Sequence, residues 1–177
     1  MVATADNFER SKEFFDSGDI LSTLNSFNKV IENIDRTKTK RKTEFIQFLQ
    51  TLLKHCQDNN LKSEEAMVLR SLGRTHAKFK DHAEGLKYSY QALKIQKKLG
   101  KKIDIAEGLE FLAEDLQISG NYDKCIESFT EAAEIYHELG KLRKEKDIKK
   151  KISKLKEFSK EMVEDEYFLH KFNIDKY

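Results

Sequence analysis

The sequence repeats one pattern with a constant period of about 40 residues, a length typical of stacked copies of one supersecondary unit. A Leu72-Gly73 pair has its counterpart in Leu112-Ala113, and Ala92 has its counterpart in Ala132. The matching segments are 71–73 and 111–113, 82–87 and 122–127, 92–95 and 132–135, and 99–101 and 139–141. Such stacks present long surfaces that hold other proteins, so the period favours binding over catalysis.

The amino-acid composition indicates a helical protein with its own hydrophobic core. The 177 residues predict one domain, and a chain of this length can bury enough surface without disulfides or metals. It has no proline, only seven glycines and 36% charged residues, a balance that favours helices. Hydrophobic residues make up 38%, with 12 Phe, which excludes a disordered chain.

The net charge and the two cysteines restrict the partners, bound groups and cellular compartment that we expect. The net charge of +2 gives no overall field that would attract nucleic acid or membranes. Cys56 and Cys125 lack the spacing of a metal or redox motif, so we expect a reducing compartment, no metal and no cofactor. The N-terminus does not resemble a signal peptide, and no apolar run is long enough to span a membrane. We therefore expect a cytoplasmic protein, with the nucleus as the alternative.

The spacing of apolar residues predicts eight helices and no strand. Asp19 and Ser63 have the side chains of N-terminal caps, and Gly100 and Gly140 stand where C-terminal glycines belong. The predicted helices cover about 5–17, 19–35, 43–58, 63–79, 82–98, 103–118, 122–139 and 142–168. We predict one domain over 1–177, with degenerate helices at 5–58, repeats at 63–100 and 103–140, and a basic capping helix at 141–169.

The shared unit resembles the tetratricopeptide repeat, a pair of helices joined by a tight turn. A Leu-Gly or Leu-Ala pair lies in its first helix, and an aromatic residue or His opens its second helix. Small residues follow where helices of the family cross closely, namely Gly73 and Ala113, Gly85 and Cys125, and Ala92 and Ala132. The resemblance implies an all-α fold of antiparallel helical hairpins in a right-handed superhelix with a long C-terminal capping helix.

The length of the unit resembles the roughly 40-residue variety found in kinesin light chain and in Pins-type adaptors. Residues 63–140 match this variety well, and 5–35 resemble a degenerate copy of it. The helix at 43–58 falls outside a two-helix count. Ser89 and His76 replace aromatic residues of the family, and no proline ends a repeat. An ordinary helical bundle with a coincidental pattern is the alternative.

The resemblance also implies a concave groove lined by first-helix residues. The positions are Met67, Arg70, Arg74, Ala77 and Lys78 in one repeat, and Glu107, Glu110, Glu114, Gln117 and Ile118 in the next. Arg70, Arg74 and Lys78 are spaced four apart, so they form a basic stripe along one helix face. Glu110 and Glu114 stand one repeat period after the two arginines, which predicts ion pairs across the groove floor. One interpretation is that the groove binds a peptide of mixed charge through Arg–carboxylate bonds. The alternative is that these charges form salt bridges with one another and bind no ligand.

Other charged features admit a structural and a functional interpretation. The family's carboxylate clamp for chaperone tails needs Asn residues that are missing, since Arg70, Arg74 and Phe111 hold its positions. The five basic residues of 36–42 form a solvated connector, or a nuclear import or phosphate-binding signal. The eighth helix, with ten Lys and Arg and three Asp and Glu in 141–160, caps the repeats or binds an anionic surface. It lacks the interleaved aromatic residues of a specific RNA-binding platform.

Catalytic motifs are absent from the sequence. There is no pair of His residues four apart and no glycine-rich phosphate loop, and the neighbours His55 and Cys56 point in different directions on a helix. We therefore predict a non-catalytic protein–protein interaction module, an adaptor or scaffold that binds a peptide or helical segment of another protein. The alternative is a structural subunit that self-associates, or docks on a cytoskeletal or membrane complex through the basic eighth helix.

Overall fold

The structure is all-α, as the sequence predicts. The computed structural model describes residues 2–174, with side chains described for 7–160, and over this range it contains eight helices and no strand. Met1 and 175–177 of the predicted domain lie outside the described residues. The helices are α1 (Val2–Asp16), α2 (Ile20–Asn33), α3 (Lys42–Asp58), α4 (Lys62–Lys78), α5 (His82–Leu99), α6 (Lys102–Ile118), α7 (Tyr122–Glu138) and α8 (Leu142–Ile174). α1 begins before its predicted start and α8 ends after its predicted end, because no glycine or proline interrupts these segments.

Most connections between helices turn on a single residue with left-handed backbone geometry. These residues are Gly18, Asn60, Lys80, Gly100, Gly120 and Gly140, with φ between 55° and 82°. The left-handed geometry reverses the chain and suits glycine, which has no Cβ to clash. It recurs once per repeat period at Asn60, Gly100 and Gly140, and the next helix begins at the second residue after each of them. The turn residue therefore fixes where α4, α6 and α8 start.

This geometry decides the helix caps. The prediction that Ser63 caps α4 is wrong, because the turn starts the helix at Lys62 and leaves Leu61 in the cap position without a side-chain hydrogen bond. The prediction for Asp19 is confirmed, since its Oδ1 accepts a 2.9 Å hydrogen bond from the backbone N–H of Ser22.

The two helices of the α4/α5 hairpin touch backbone to backbone. A Cβ atom on Gly73 would lie 3.1 Å from the carbonyl oxygen of Gly85, and one on Gly85 would lie 3.0 Å from that of Gly73. In the α6/α7 hairpin the same positions hold Ala113 and Cys125, both fully buried. The prediction that small residues mark the close crossings is confirmed.

The helices form two rows. The inner row is α2, α4, α6 and α8, and the outer row is α3, α5 and α7. Of the outer helices, α5 packs against both α4 and α6, and α7 packs against both α6 and α8. α1 pairs with α2 and also contacts α3. The resemblance of 5–35 to a repeat would make α2 a second helix, whereas its contact with α4 places it among the first helices.

A cluster of four phenylalanines joins α1 and α3 to α2. Phe8 and Phe27 are fully buried, and Phe45 is nearly so. The ring centroid of Phe8 lies 6.0 Å from Phe27, 4.9 Å from Phe45 and 5.3 Å from Phe48, in the tilted and edge-to-face arrangements that aromatic rings favour. The cluster belongs to a core formed by α1–α5, and a second core continues from α5 to α8. Through this cluster α3 packs against α2.

Within residues 2–174, none of the helices has the length and apolar content needed to cross a membrane.

Candidate partner-binding groove

The exposed side of the inner row is the candidate groove. Its helices begin at Ile20, Lys62, Lys102 and Leu142, so successive starts lie close to one repeat period apart. Neighbouring inner helices meet in seams, and the predicted site residues divide between the α4/α6 seam and the α6/α8 seam.

In the α4/α6 seam, two guanidinium groups lie against the ring of Phe111. The Cζ atoms of Arg70 and Arg74 are 3.7 and 4.8 Å from its centroid, within the range of cation–π attraction. Arg70 Nη1 also lies 3.9 Å from Glu107 Oε2. Burial lowers the pKa of Arg70 to about 10, because desolvation penalises its charge more than Glu107 favours it. Only 17% of the Arg70 side chain is exposed, so α6 largely covers it.

The remainder of the basic stripe is held by α2. Arg74 Nη1 lies 3.0 Å from Glu32 Oε1, and Lys78 Nζ donates a 3.0 Å hydrogen bond to the backbone carbonyl of Glu32. Met67 and Arg70 line a small pocket of about 50 Å³ between these helices. Ala77 is buried, so it offers nothing to a ligand. The N-terminal half of the groove is thus occupied mainly by contacts within the chain.

In the α6/α8 seam, one lysine bridges two carboxylates. Lys151 Nζ lies 2.8 Å from Glu114 Oε1 and 3.4 Å from Glu110 Oε1. Glu110 Oε2 also accepts hydrogen bonds from the Tyr136 hydroxyl at 3.2 Å and from Lys144 Nζ at 3.4 Å. Burial alone would lower the pKa of Lys151, but the hydrogen bond and charge of Glu114, with those of Glu110, raise it overall. The amine therefore stays charged and joins α8 to α6.

The prediction that Glu110 and Glu114 pair with Arg70 and Arg74 is wrong. Both glutamates contact α8, and the arginines meet Phe111. The reason is geometric. Residues at the same place in two stacked repeats point in the same direction, so they cannot point at each other.

One position of the repeat makes the backward contact in each seam. Ser71, Phe111 and Lys151 stand one repeat period apart, and each touches the preceding inner helix. Ser71 Oγ donates a 3.0 Å hydrogen bond to Asn28 Oδ1 of α2. The chemistry of the contact differs between the seams. The Ser71 hydroxyl binds an amide, the Phe111 ring packs against two guanidinium groups, and the Lys151 amine lies between two carboxylates. Sequence reasoning missed Phe111 and Lys151 as seam residues, although their spacing from Ser71 marks them.

Reversing the charge at Lys151 should loosen the α6/α8 seam. We expect Lys151→Glu to lower the free energy of unfolding by about 1 kcal/mol, since the amine is 40% exposed and partly screened by solvent. Urea denaturation followed by circular dichroism measures this loss. Adding Glu114→Lys should restore part of it, and the control Lys156→Glu, on an exposed face of α8, should change little. Equal effects of Lys151→Glu and Lys156→Glu would contradict the bridging contact.

A larger pocket lies further along the α6/α8 seam. Its volume is about 480 Å³, within the usual range of ligand-binding pockets. Ile118 is 58% exposed and Phe158 is 43% exposed, so both present apolar surface to solvent. The pocket is lined by Gln117, Ile118, Tyr122, Lys151, Lys154, Leu155 and Phe158. Of the predicted groove residues it contains Gln117 and Ile118. Sequence reasoning missed Lys154 and Phe158, which stand one repeat period after Glu114 and Ile118.

Some basic residues of the connector at 36–42 form ion pairs within the chain. Arg41 Nε lies 2.7 Å from Glu44 Oε2, and Lys42 pairs with Asp81 at the turn between α4 and α5. Arg36 and Lys40 are exposed.

The cysteines are poor candidates for chemistry. Cys56 and Cys125 are buried free thiols, and burial raises the pKa of each to about 11, so they are protonated at neutral pH. Among the described residues, no group of three or more His, Cys, Asp and Glu side chains could hold a metal ion.

Comparison with known proteins identifies the fold of the chain but no related family. No protein-family model matches the chain, and no curated protein matches it in sequence. Among solved structures, it is similar to a STAND protein (signal transduction ATPase with numerous domains) with a tetratricopeptide repeat sensor, from Pyrococcus horikoshii. The TM-score is 0.56 at 16% identity, and the match covers 82% of this chain and 25% of that one. The chain therefore has the fold of a tetratricopeptide-like helical repeat protein.

Proposed function

We propose that this protein is a non-catalytic interaction module that holds a peptide or helical segment of another protein in its groove. A tetratricopeptide-like fold generally mediates protein interactions, because its stacked helices form a long preformed surface. A preformed groove binds without a large ordering cost of its own. We further propose an adaptor or scaffold role in the cytoplasm, as in the longer variety of the repeat that the sequence resembles.

The observation that carries the proposal is the 480 Å³ pocket of the α6/α8 seam. It combines exposed apolar surface on Ile118 and Phe158 with the ammonium group of Lys154. A partner segment would place an apolar side chain between these two residues and a carboxylate near Lys154. Exposed apolar contacts at the centre of such a site supply most of the affinity, and the charge orients the ligand.

The N-terminal half of the groove would extend this contact. Glu107 is half-exposed, and the edge of Arg70 is accessible beside Phe111. These side chains would add specificity along the segment, while their main contacts hold α4 to α6. The partner would therefore lie along the inner row and bind most tightly at its C-terminal end.

Removing the apolar surface of the pocket should abolish most of the binding. We expect Ile118→Ser with Phe158→Ser to weaken the affinity for a partner captured by the wild-type protein at least about tenfold, as loss of hot-spot residues does. Affinity purification identifies the partner, and isothermal titration calorimetry measures its Kd. The matched control is Tyr90→Ser with Leu99→Ser, which removes exposed apolar side chains from the outer helix α5. An unchanged Kd in a folded pocket variant would refute the groove as the binding site.

A second candidate function uses α8 itself. Nine of the ten Lys and Arg side chains in 141–160 are exposed, so this helix presents a dense positive face. A structural subunit could use that face to dock on an anionic assembly, or to associate with another copy of itself. Such docking weakens steeply as salt is added, whereas contact in an apolar pocket does not. A partner complex that survives high salt would favour the groove.

A further inference from the structure

Two turns at one edge of the helical stack carry exposed aliphatic and basic side chains together. The first turn joins α5 to α6 and the second joins α7 to α8. Leu99 is 41% exposed and Ile103 is 36% exposed at the first turn, and Leu142 is 63% exposed at the second. We call these two turns, with residues 98–103 and 141–143, the turn edge. Exposed apolar side chains mark an interaction site when they lie together on one surface.

The two turns are neighbours in space. Lys102 Nζ of the first turn lies 2.6 Å from Glu138 Oε2, at the C-terminal end of α7. The repeat period also places Lys101 and Lys141 at equivalent positions of adjacent repeats. The three aliphatic side chains therefore lie at the same edge of two adjacent hairpins.

The charge of this surface is mainly positive. The turn edge contains five basic residues, Lys98, Lys101, Lys102, Lys141 and Arg143, and the neighbouring acidic Glu138 is paired with Lys102. All five are exposed, and only Lys102 has an ion-pair partner within the described part of the chain. The equivalent turn between α3 and α4 is different, because residues 58–63 carry one acidic and one basic residue, Asp58 and Lys62, and a serine at the position of Ile103. The positive apolar surface is thus confined to the last two turns between repeats.

We propose that the turn edge docks on an anionic lipid surface. Lys and Arg next to a membrane are attracted by acidic headgroups, and Leu and Ile at the same level enter the boundary between headgroups and acyl chains. The aliphatic residues lie at helix ends beside the turns, where they project outward, so they suit a planar partner. A second copy of the chain does not fit, because it would bring like charges together. This surface is separate from the pocket at Ile118 and Phe158, so the inference does not depend on the groove.

Vesicle co-sedimentation of the whole chain tests this inference. We expect binding to vesicles of phosphatidylcholine with phosphatidylserine, weaker binding as salt rises, and little binding to phosphatidylcholine alone. Leu99→Ser, Ile103→Ser and Leu142→Ser together should weaken binding about tenfold through loss of the apolar contact. Lys101→Glu with Lys141→Glu should weaken it at least about tenfold through loss of charge attraction.

A control variant separates this surface from general positive charge. Lys80→Glu with Lys124→Glu makes the same change in charge at exposed positions away from the turn edge, and it should bind vesicles nearly as well as the wild type. Far-UV circular dichroism confirms that each variant is folded. Three outcomes would overturn the proposal: no binding to acidic vesicles, equal loss in the control, or full binding by the serine variant. The last result would indicate charge attraction alone, as expected for an acidic protein partner.

Discussion

Replacing Phe27 with alanine is expected to lower the free energy of unfolding by about 3–5 kcal/mol, the usual cost of removing a large aromatic side chain from a core. Phe27 is fully buried, and its ring centroid lies 6.0 Å from Phe8, 5.9 Å from Phe45 and 5.8 Å from Phe48. It therefore connects α1 and α3 through α2. Since domains are stable by about 5–15 kcal/mol in total, one substitution would remove a large share of the stability.

Urea unfolding followed by circular dichroism measures the effect. Phe27→Leu should lose less than Phe27→Ala, because the cavity left by leucine is smaller. The control is Phe158→Ala, since that ring is 43% exposed and its loss should change stability little. If Phe27→Ala and Phe158→Ala unfolded at the same urea concentration, the aromatic cluster would not be the centre of the N-terminal core.

Replacing Gly85 with valine is expected to cost about 1–3 kcal/mol or more, because it overpacks a helix crossing. A Cβ atom at this position would lie 3.0 Å from the carbonyl oxygen of Gly73 and 3.3 Å from the backbone nitrogen of Ala77. Both contacts are with backbone, so a side-chain rotation cannot relieve them. The α4/α5 hairpin would have to open, which disturbs the contacts of both helices with the next repeat.

The matched control for this prediction is Ala83→Val, at the second position before Gly85 on the same helix. Ala83 is exposed, so the added methyl groups meet solvent and only the small change in helix propensity remains. Thermal or urea unfolding of the two variants gives the comparison. Similar stability of both variants would mean that α4 and α5 do not touch at Gly85.

The repeat period predicted more than the helices. It located the turns at Gly100 and Gly140 and the close crossing at Gly73 and Gly85, because these depend on local backbone geometry that recurs in each unit. The cap at Ser63 failed for a related reason. The left-handed turn at Asn60 had already fixed the start of α4, and this outweighed the capping propensity of serine.

Contacts between repeats were harder to predict. A period shows which residues are equivalent, but a contact joins residues that are not equivalent, as Phe111 and the arginines of α4 show. The place of α2 in the inner row was also missed, because the resemblance of 5–35 to a whole repeat made α1 the first helix of that repeat and α2 the second. The pocket was found only in part. Gln117 and Ile118 were predicted, but α8 was treated as a cap, so Lys154 and Phe158 were left out.

The different chemistry at Ser71, Phe111 and Lys151 means that the units of this protein are not interchangeable. A second copy of 62–101 inserted after the first would set a serine against Arg70 and Arg74, and their aromatic partner would be lost. A second copy of 102–141 would set a phenylalanine ring against Glu110 and Glu114, where the negative face of the ring repels carboxylates. The chain could not be lengthened by simple duplication of either unit. The contacts of each seam fit only the two helices that form it, and they fix the order of the repeats.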